Sequence, residues 1–197
     1  MIHPATKVQY IDDTIGYGVF ATEFIPKGTI TWVRDALDRE ITPADFYALP
    51  EPIIETALKY SYRNSKGNFI MPWDHTRYTN HSFTPNTILT PYNFEIAISN
   101  IQAGEQITND YGTLNIIESF QPNHEGSERT MVHPDDLTRL HPQYDKAIYE
   151  AILQVKKHTQ PLWRLLSEQV IQSVQNIIED KEQPLSILNC YFKQHDK

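Results

Sequence analysis

Polar and apolar side chains alternate with a period of two around Val8-Gln9-Tyr10, and β-branched and aromatic residues dominate Gly18-Val19-Phe20-Ala21 and Thr29-Ile30-Thr31-Trp32-Val33. A strand sends successive side chains to opposite faces, so this stretch predicts a strand-turn-strand opening, with Ile25-Pro26-Lys27-Gly28 as a turn. Thr42-Pro43-Ala44-Asp45 combines an N-cap residue, a proline whose fixed φ suits a first helical turn, and an early acidic residue. It predicts a short helical insert over much of 42–60. Strand patterns resume at Asn68-Phe69-Ile70-Met71 and Glu95-Ile96-Ala97-Ile98-Ser99, with Pro and Asn between them.

From about residue 134 the period lengthens to nearly four. Ala147, Ile148, Ala151, Ile152 and Val155 share one helical face, and Leu162, Leu165, Leu166, Val170, Val174, Ile177 and Ile178 share another. Two amphipathic helices follow, with Pro161 suited to the first position of the second and Pro184 beyond its end. Their apolar stripes need cover, and two sources are open: the chain's own strand-rich part, or a second copy in a homodimer. The expected organisation is a domain over 1–120 with its insert at about 42–60, then a tail and helical extension over 121–197. The expected class is α+β.

Composition narrows the function classes. At 197 residues, 40% hydrophobic and 21% charged, the chain can bury one substantial core, and no apolar run approaches the roughly eighteen residues of a membrane span. No apolar leader follows Met1-Ile2-His3-Pro4. A cytoplasmic address is therefore expected, or a nuclear one if the source is eukaryotic or the protein is delivered to a host. Cys190 is the only cysteine, which excludes an internal disulfide and a multi-thiolate zinc cluster and leaves it as a small core hydrophobe. The net charge of -8 opposes direct nucleic-acid binding and suits a basic peptide partner, although it serves solubility equally well.

Chemistry concentrates in three places. Gly16-Tyr17-Gly18, between strand-like segments, permits positive dihedrals and lets backbone approach a ligand, though a plain turn explains it too. Arg77-Tyr78-Thr79-Asn80-His81-Ser82-Phe83-Thr84-Pro85-Asn86 stacks mixed donors and acceptors before a proline-fixed turn, as a nucleotide-like ligand requires. Competing readings are a glycosylation acceptor at Asn80-His81-Ser82, a metal held by His75 and His81, and a hydrolase built on Ser82, His81 and Asp110. They lack, in turn, a secretion signal, a second close ligand pair, and a nucleophile elbow. The third place, Gly104-Glu105-Gln106-Ile107-Thr108-Asn109-Asp110-Tyr111-Gly112, is by itself compatible with any strand end carrying a satisfied tyrosine.

Taken in order and spacing, these three elements resemble the SET-domain protein-lysine methyltransferases, over about residues 5–120. The resemblance implies a SET fold of small curved sheets with a knot-like threading, and S-adenosylmethionine as methyl donor. It implies that Gly16, Tyr17 and Gly18 contact the methionine end of that cofactor, that Asn80 and His81 hold its adenosyl and amino groups, and that Tyr111 stands at the methyl-transfer point. Phe120, nine residues on, is a candidate to stack on the adenine. Tyr60, Tyr62 and Leu89 are candidate walls of the lysine channel. Asn109 stands where family members often carry Phe or Tyr, a position that tunes how many methyl groups are added.

Many family members also bind a structural zinc through a cysteine after Asn-His-Ser and three more after Tyr-Gly. Here Phe83 fills the first position and the tail from Phe120 to Glu128 has no thiol, so no zinc is expected and the C-terminal helices are the candidate closure. The expected activity is methyl transfer to the side-chain amine of a protein lysine, with a lysine-bearing protein or peptide as partner. The alternative is a catalytically silent SET-fold binding module. A metal-dependent hydrolase is a distant third.

Overall fold

The computed structural model describes residues 1–123 and 126–193. Part of the tail, residues 124–125 and 194–197, lies outside the described residues. Strands β1 (Thr6–Asp12) and β2 (Gly16–Ala21) form an antiparallel hairpin. Asp12 makes the turn by accepting the backbone N–H groups of Thr14 and Ile15, each at 2.8 Å, and Gly16 follows at φ +82°, where a side chain would be strained. β3 (Ile30–Val33) completes the predicted opening.

The insert is two helices rather than one. β4 (Arg39–Ile41) leads into α1 (Pro43–Tyr47), where Thr42 caps by accepting from Asp45 N. Pro50 then interrupts, because it cannot donate to the preceding turn, and α2 (Glu51–Tyr60) begins after it. β5 (Tyr62–Arg63) and β6 (Phe69–Met71) join β4 in a sheet of order β4-β6-β5. Ile41, Phe46, Ala57 and Phe69 form a small core that seats the insert on this sheet.

β7 (Asn80–His81), β8 (Thr87–Leu89), β9 (Phe94–Ala97) and β10 (Gln106–Asn109) complete the strands. One sheet has the order β3-β9-β8 and the other β1-β2-β10-β7. In the latter, β10 enters between the hairpin and β7, antiparallel to β2 and parallel to β7. This insertion brings the end of the third motif beside the first two.

The tail is part of the same core. α3 (Asp136–Ile152) and α4 (Glu168–Ile178) bury Leu137, Ile148, Ala151, Ile152, Val174 and Ile177 together with Ile30, Val33, Ile88, Phe94 and Ile96 of the β3-β9-β8 sheet. The stripes that raised a homodimer as one source of cover are therefore covered within the chain. Gln160 adds a polar clip, accepting from Ile30 N at 2.9 Å and donating to Gly28 O at 3.0 Å. Pro161 does not start the second helix. A 3-10 turn (Trp163–Leu165) follows it, Leu165 stays 36% exposed, and α4 begins only after Ser167, which accepts from Val170 N. Cys190 packs against this core, and burial pushes its thiol up to about 12, out of reach of ordinary reactivity.

Candidate active site

A cavity of about 1390 Å³ opens where the ends of β2, β7 and β10 meet β5 and the stretch after residue 112. Its wall includes Gly16, Tyr17, Tyr60, Tyr62, Asn80, His81, Asn109, Tyr111 and Phe120. Residues from all three sequence motifs thus converge on one space, although up to 95 positions separate them in the chain.

Asn80 ties two motifs together, its Nδ2 donating to Tyr17 O at 3.0 Å. Gly18 makes that approach possible without lining the cavity. A Cβ there would stand 2.7 Å from Ile11 and Gln106 side-chain atoms and 3.1 Å from Asn80 Nδ2. The resemblance placed Gly18 against the cofactor; Gly18 is not part of the cavity wall, and a side chain there would have to displace the ends of Ile11 and Gln106 and press on the Asn80 amide.

His81 links β7 to the third motif by accepting from Tyr111 N at Nδ1, 3.1 Å away. Around its ring, Phe83, Tyr111 and Phe120 pack edge to face with centroids at 4.5, 5.5 and 5.9 Å. The Tyr111 hydroxyl donates to Thr79 O at 2.8 Å, and burial, then the nearby Glu95 carboxyl, pushes it up to about 12. It remains a neutral donor at any physiological pH. Tyr62 is likewise held protonated by burial, with its ring edge-on to Trp32 at 6.3 Å.

Leu89 is not a channel wall. It is buried among Val19, Trp32, Ala97, Ile101 and Ile107 and is not part of the cavity wall. The wall also contains residues to which the sequence reading gave no site role: Trp32, Glu95 and, within the second motif, Thr79. Glu95 was visible only as a charge inside an apolar strand, Phe94-Glu95-Ile96, a pattern that signals a buried functional or paired group. Burial pushes its carboxyl up to about 7, even though a hydrogen bond from Asn109 Nδ2 at 3.0 Å pulls the other way.

The tail packs beside this wall and contributes Phe120 to it. Phe120 pairs with Val132 through two backbone hydrogen bonds of 3.1 and 3.0 Å, pinning its ring against His81. Arg129 lies over Phe83, 4.8 Å from the ring centroid, and pairs with Asp110 and Asp136 at once. Tyr144 of α3 donates to the same Asp110 carboxylate at 2.7 Å. No group of three or more His, Cys, Asp and Glu side chains that could hold a metal occurs among the described residues. Nor is any described helix long and apolar enough to cross a membrane.

Residues 16–112 match the family model of the SET domain. The chain is a SET-domain protein over this stretch, and its mixed α+β architecture of small sheets and several helices is the SET fold. A comparison with curated proteins gave no match. Among solved structures, the chain is similar to a Plasmodium falciparum protein provisionally named a histone methyltransferase, at 22% identity and a TM-score of 0.41. That similarity covers 56% of this chain and 95% of the other. SET domains are in general S-adenosylmethionine-dependent methyltransferases.

Proposed function

We propose that the protein transfers methyl groups from S-adenosylmethionine to the side-chain amine of a lysine in a basic protein segment. The observation that carries this reading is the convergence of Gly16 and Tyr17, Asn80 and His81, and Tyr111 on one cavity. The cavity suits the cofactor. Its volume exceeds what a single drug-sized ligand needs, and Thr79, Asn109 and Trp32 of its wall each carry a buried polar atom without a hydrogen-bond partner among the described residues. Gly16, Tyr17, Asn80, His81 and Phe120 would hold the cofactor. When bound, it supplies an electrophilic methyl group on a sulfonium.

The chain's own work is to present a neutral amine in line with that methyl. A lysine with a reference pKa near 10.4 costs about 4.6 kcal/mol to deprotonate at pH 7, unless the site lowers its pKa. Tyr62, Trp32 and Tyr111 strip water from the lysine stem and disfavour the ammonium, and the Tyr111 hydroxyl is placed to orient the nitrogen. Fixing both reactants supplies further acceleration. The net charge of -8 favours encounter with a basic segment.

Calorimetry with S-adenosylmethionine tests the cofactor assignment. Binding is expected to be the same with and without a chelator, since the chain lacks the cysteines that hold zinc in many family members, and Arg129 instead bridges Asp110 and Asp136. Loss of binding or unfolding on chelation would refute the zinc-free reading. Asn80→Ala is expected to weaken binding by about 1 to 3 kcal/mol, because it removes a polar partner from a closed site and releases the Tyr17 carbonyl. An unchanged dissociation constant in a folded Asn80→Ala protein would remove Asn80 from the pocket.

A further inference from the structure

The wall of the cavity mixes aromatic rings with polar side chains, and one of the latter is a carboxyl on a central strand. Glu95 lies on the central strand β9, opposite Trp32 of β3 and Leu89 of β8 in the strand registers, and it lines the cavity. Asn109, 1% exposed at the end of β10, uses its amide N–H to bond Glu95 Oε1 at 3.0 Å. Its Oδ1 then has no hydrogen-bond partner among the described residues. The Glu95 carboxyl, with the unpartnered and buried Asn109 oxygen on the amide that bonds it, thus stands in a wall it shares with Tyr62, Tyr111 and Trp32. An unfilled buried acceptor is costly, so the arrangement is suited to a donor that arrives from the cavity. A primary ammonium fits: it brings three N–H donors and a positive charge, and its alkyl stem packs on aromatic rings.

We propose that Glu95 and Asn109 form the seat for a primary ammonium at the inner end of the cavity, and that Glu95 takes the proton the amine must lose. The inference rests on the lysine-methyltransferase reading and names the group that prepares its substrate. One proton passes from R-NH3+ to the Glu95 carboxylate, leaving R-NH2 with a free lone pair and a neutral carboxylic acid, which later gives the proton to solvent. The surroundings suit this role. Burial raises the Glu95 carboxyl to about 7, the Asn109 hydrogen bond opposes it, the Asp74 charge adds to it, and the N-terminal ammonium opposes it. The other titratable groups facing it, Tyr62 and Tyr111, both stay protonated through burial. Near pH 7 both forms of Glu95 are populated, as a proton acceptor needs.

The test uses n-butylamine as a lysine side-chain probe and n-butanol as its uncharged control. In protein carrying 13C at the glutamate carboxyls, one resonance should titrate near neutrality, and Glu95→Gln should remove it. Saturating n-butylamine should lower that midpoint by about one unit or more, because a bound ammonium stabilises the carboxylate, while n-butanol leaves it in place. Glu95→Gln should weaken n-butylamine about tenfold or more without changing S-adenosylmethionine affinity. A purely structural pair would leave the midpoint indifferent to n-butylamine, and that result overturns the proposal in the parent protein alone, whether or not the variant folds. Failure to bind S-adenosylmethionine would instead overturn the methyltransferase reading, and the ammonium seat would still be decided by the titration.

Discussion

Tyr111→Phe is expected to lower methyl transfer to a lysine-bearing substrate by about a hundredfold or more, roughly 2.7 kcal/mol of transition-state stabilisation, while cofactor affinity stays close to that of the parent. The ring is held by His81 and Phe120, with centroids at 5.5 and 6.2 Å, so phenylalanine keeps its place in the wall. What goes is one hydroxyl, neutral and bonded to Thr79 O at 2.8 Å. Loss of that bond leaves a carbonyl short of a donor and should cost about 1 kcal/mol of folding stability, far less than the effect on turnover. Melting, cofactor titration and methyl incorporation separate the three quantities. A folded, cofactor-binding variant that methylates at the parental rate would show that Tyr111 is not at the transfer point.

The second large effect is expected at Arg129. Burial works against its charge, but its pairing with Asp110 and Asp136 outweighs burial and holds the guanidinium protonated well above its ordinary value. Its side chain is 24% exposed, whereas both carboxylates are 2% exposed, so truncation strands two buried negative charges. Arg129→Ala should destabilise the fold by about 3 kcal/mol, a fall of roughly 6–12 °C in melting temperature for a chain of this size. Arg129→Lys should recover only part of it, because an ammonium cannot reproduce the two-pronged contact. The same change should loosen the turn that carries Tyr111, since Asp110 caps Gly112 N at 2.9 Å and anchors Tyr144. A melting temperature within a degree or two of the parent would show that the tail closes the site without this bridge.

The local parts of this picture were legible in the sequence because their causes are local. Thr42 followed by Pro43 and Asp45 is a helix-start signal carried within four residues, and the stripe of Ile148, Ala151 and Ile152 marks a buried helical face. The three motifs likewise named Tyr17, Asn80, His81, Asn109 and Tyr111, and the position nine residues on named Phe120, all of which the fold gathers around one cavity. Where sequence reading failed, two local signals competed. Pro161 satisfies a helix start, but Ser167 offers a side-chain cap and prevails.

The chain alone thus determined the alternation of strands, the helical insert, the two amphipathic helices and the identity of most candidate site residues, because periodicity, capping and motif spacing act over a few residues. Tertiary structure decided which positions on a strand reach the cavity and which are sealed in the core. Glu95 and Leu89 lie opposite each other on neighbouring strands, yet one lines the cavity and the other is sealed beneath it. It also decided that Gly18 sits against the Ile11, Gln106 and Asn80 side chains and that Arg129, distant in sequence from Phe83 and carried by an irregular tail, lies over the Phe83 ring. Such outcomes depend on contacts between segments far apart in the chain, where the geometry of β10 entering between β2 and β7 sets every distance and no local pattern records it.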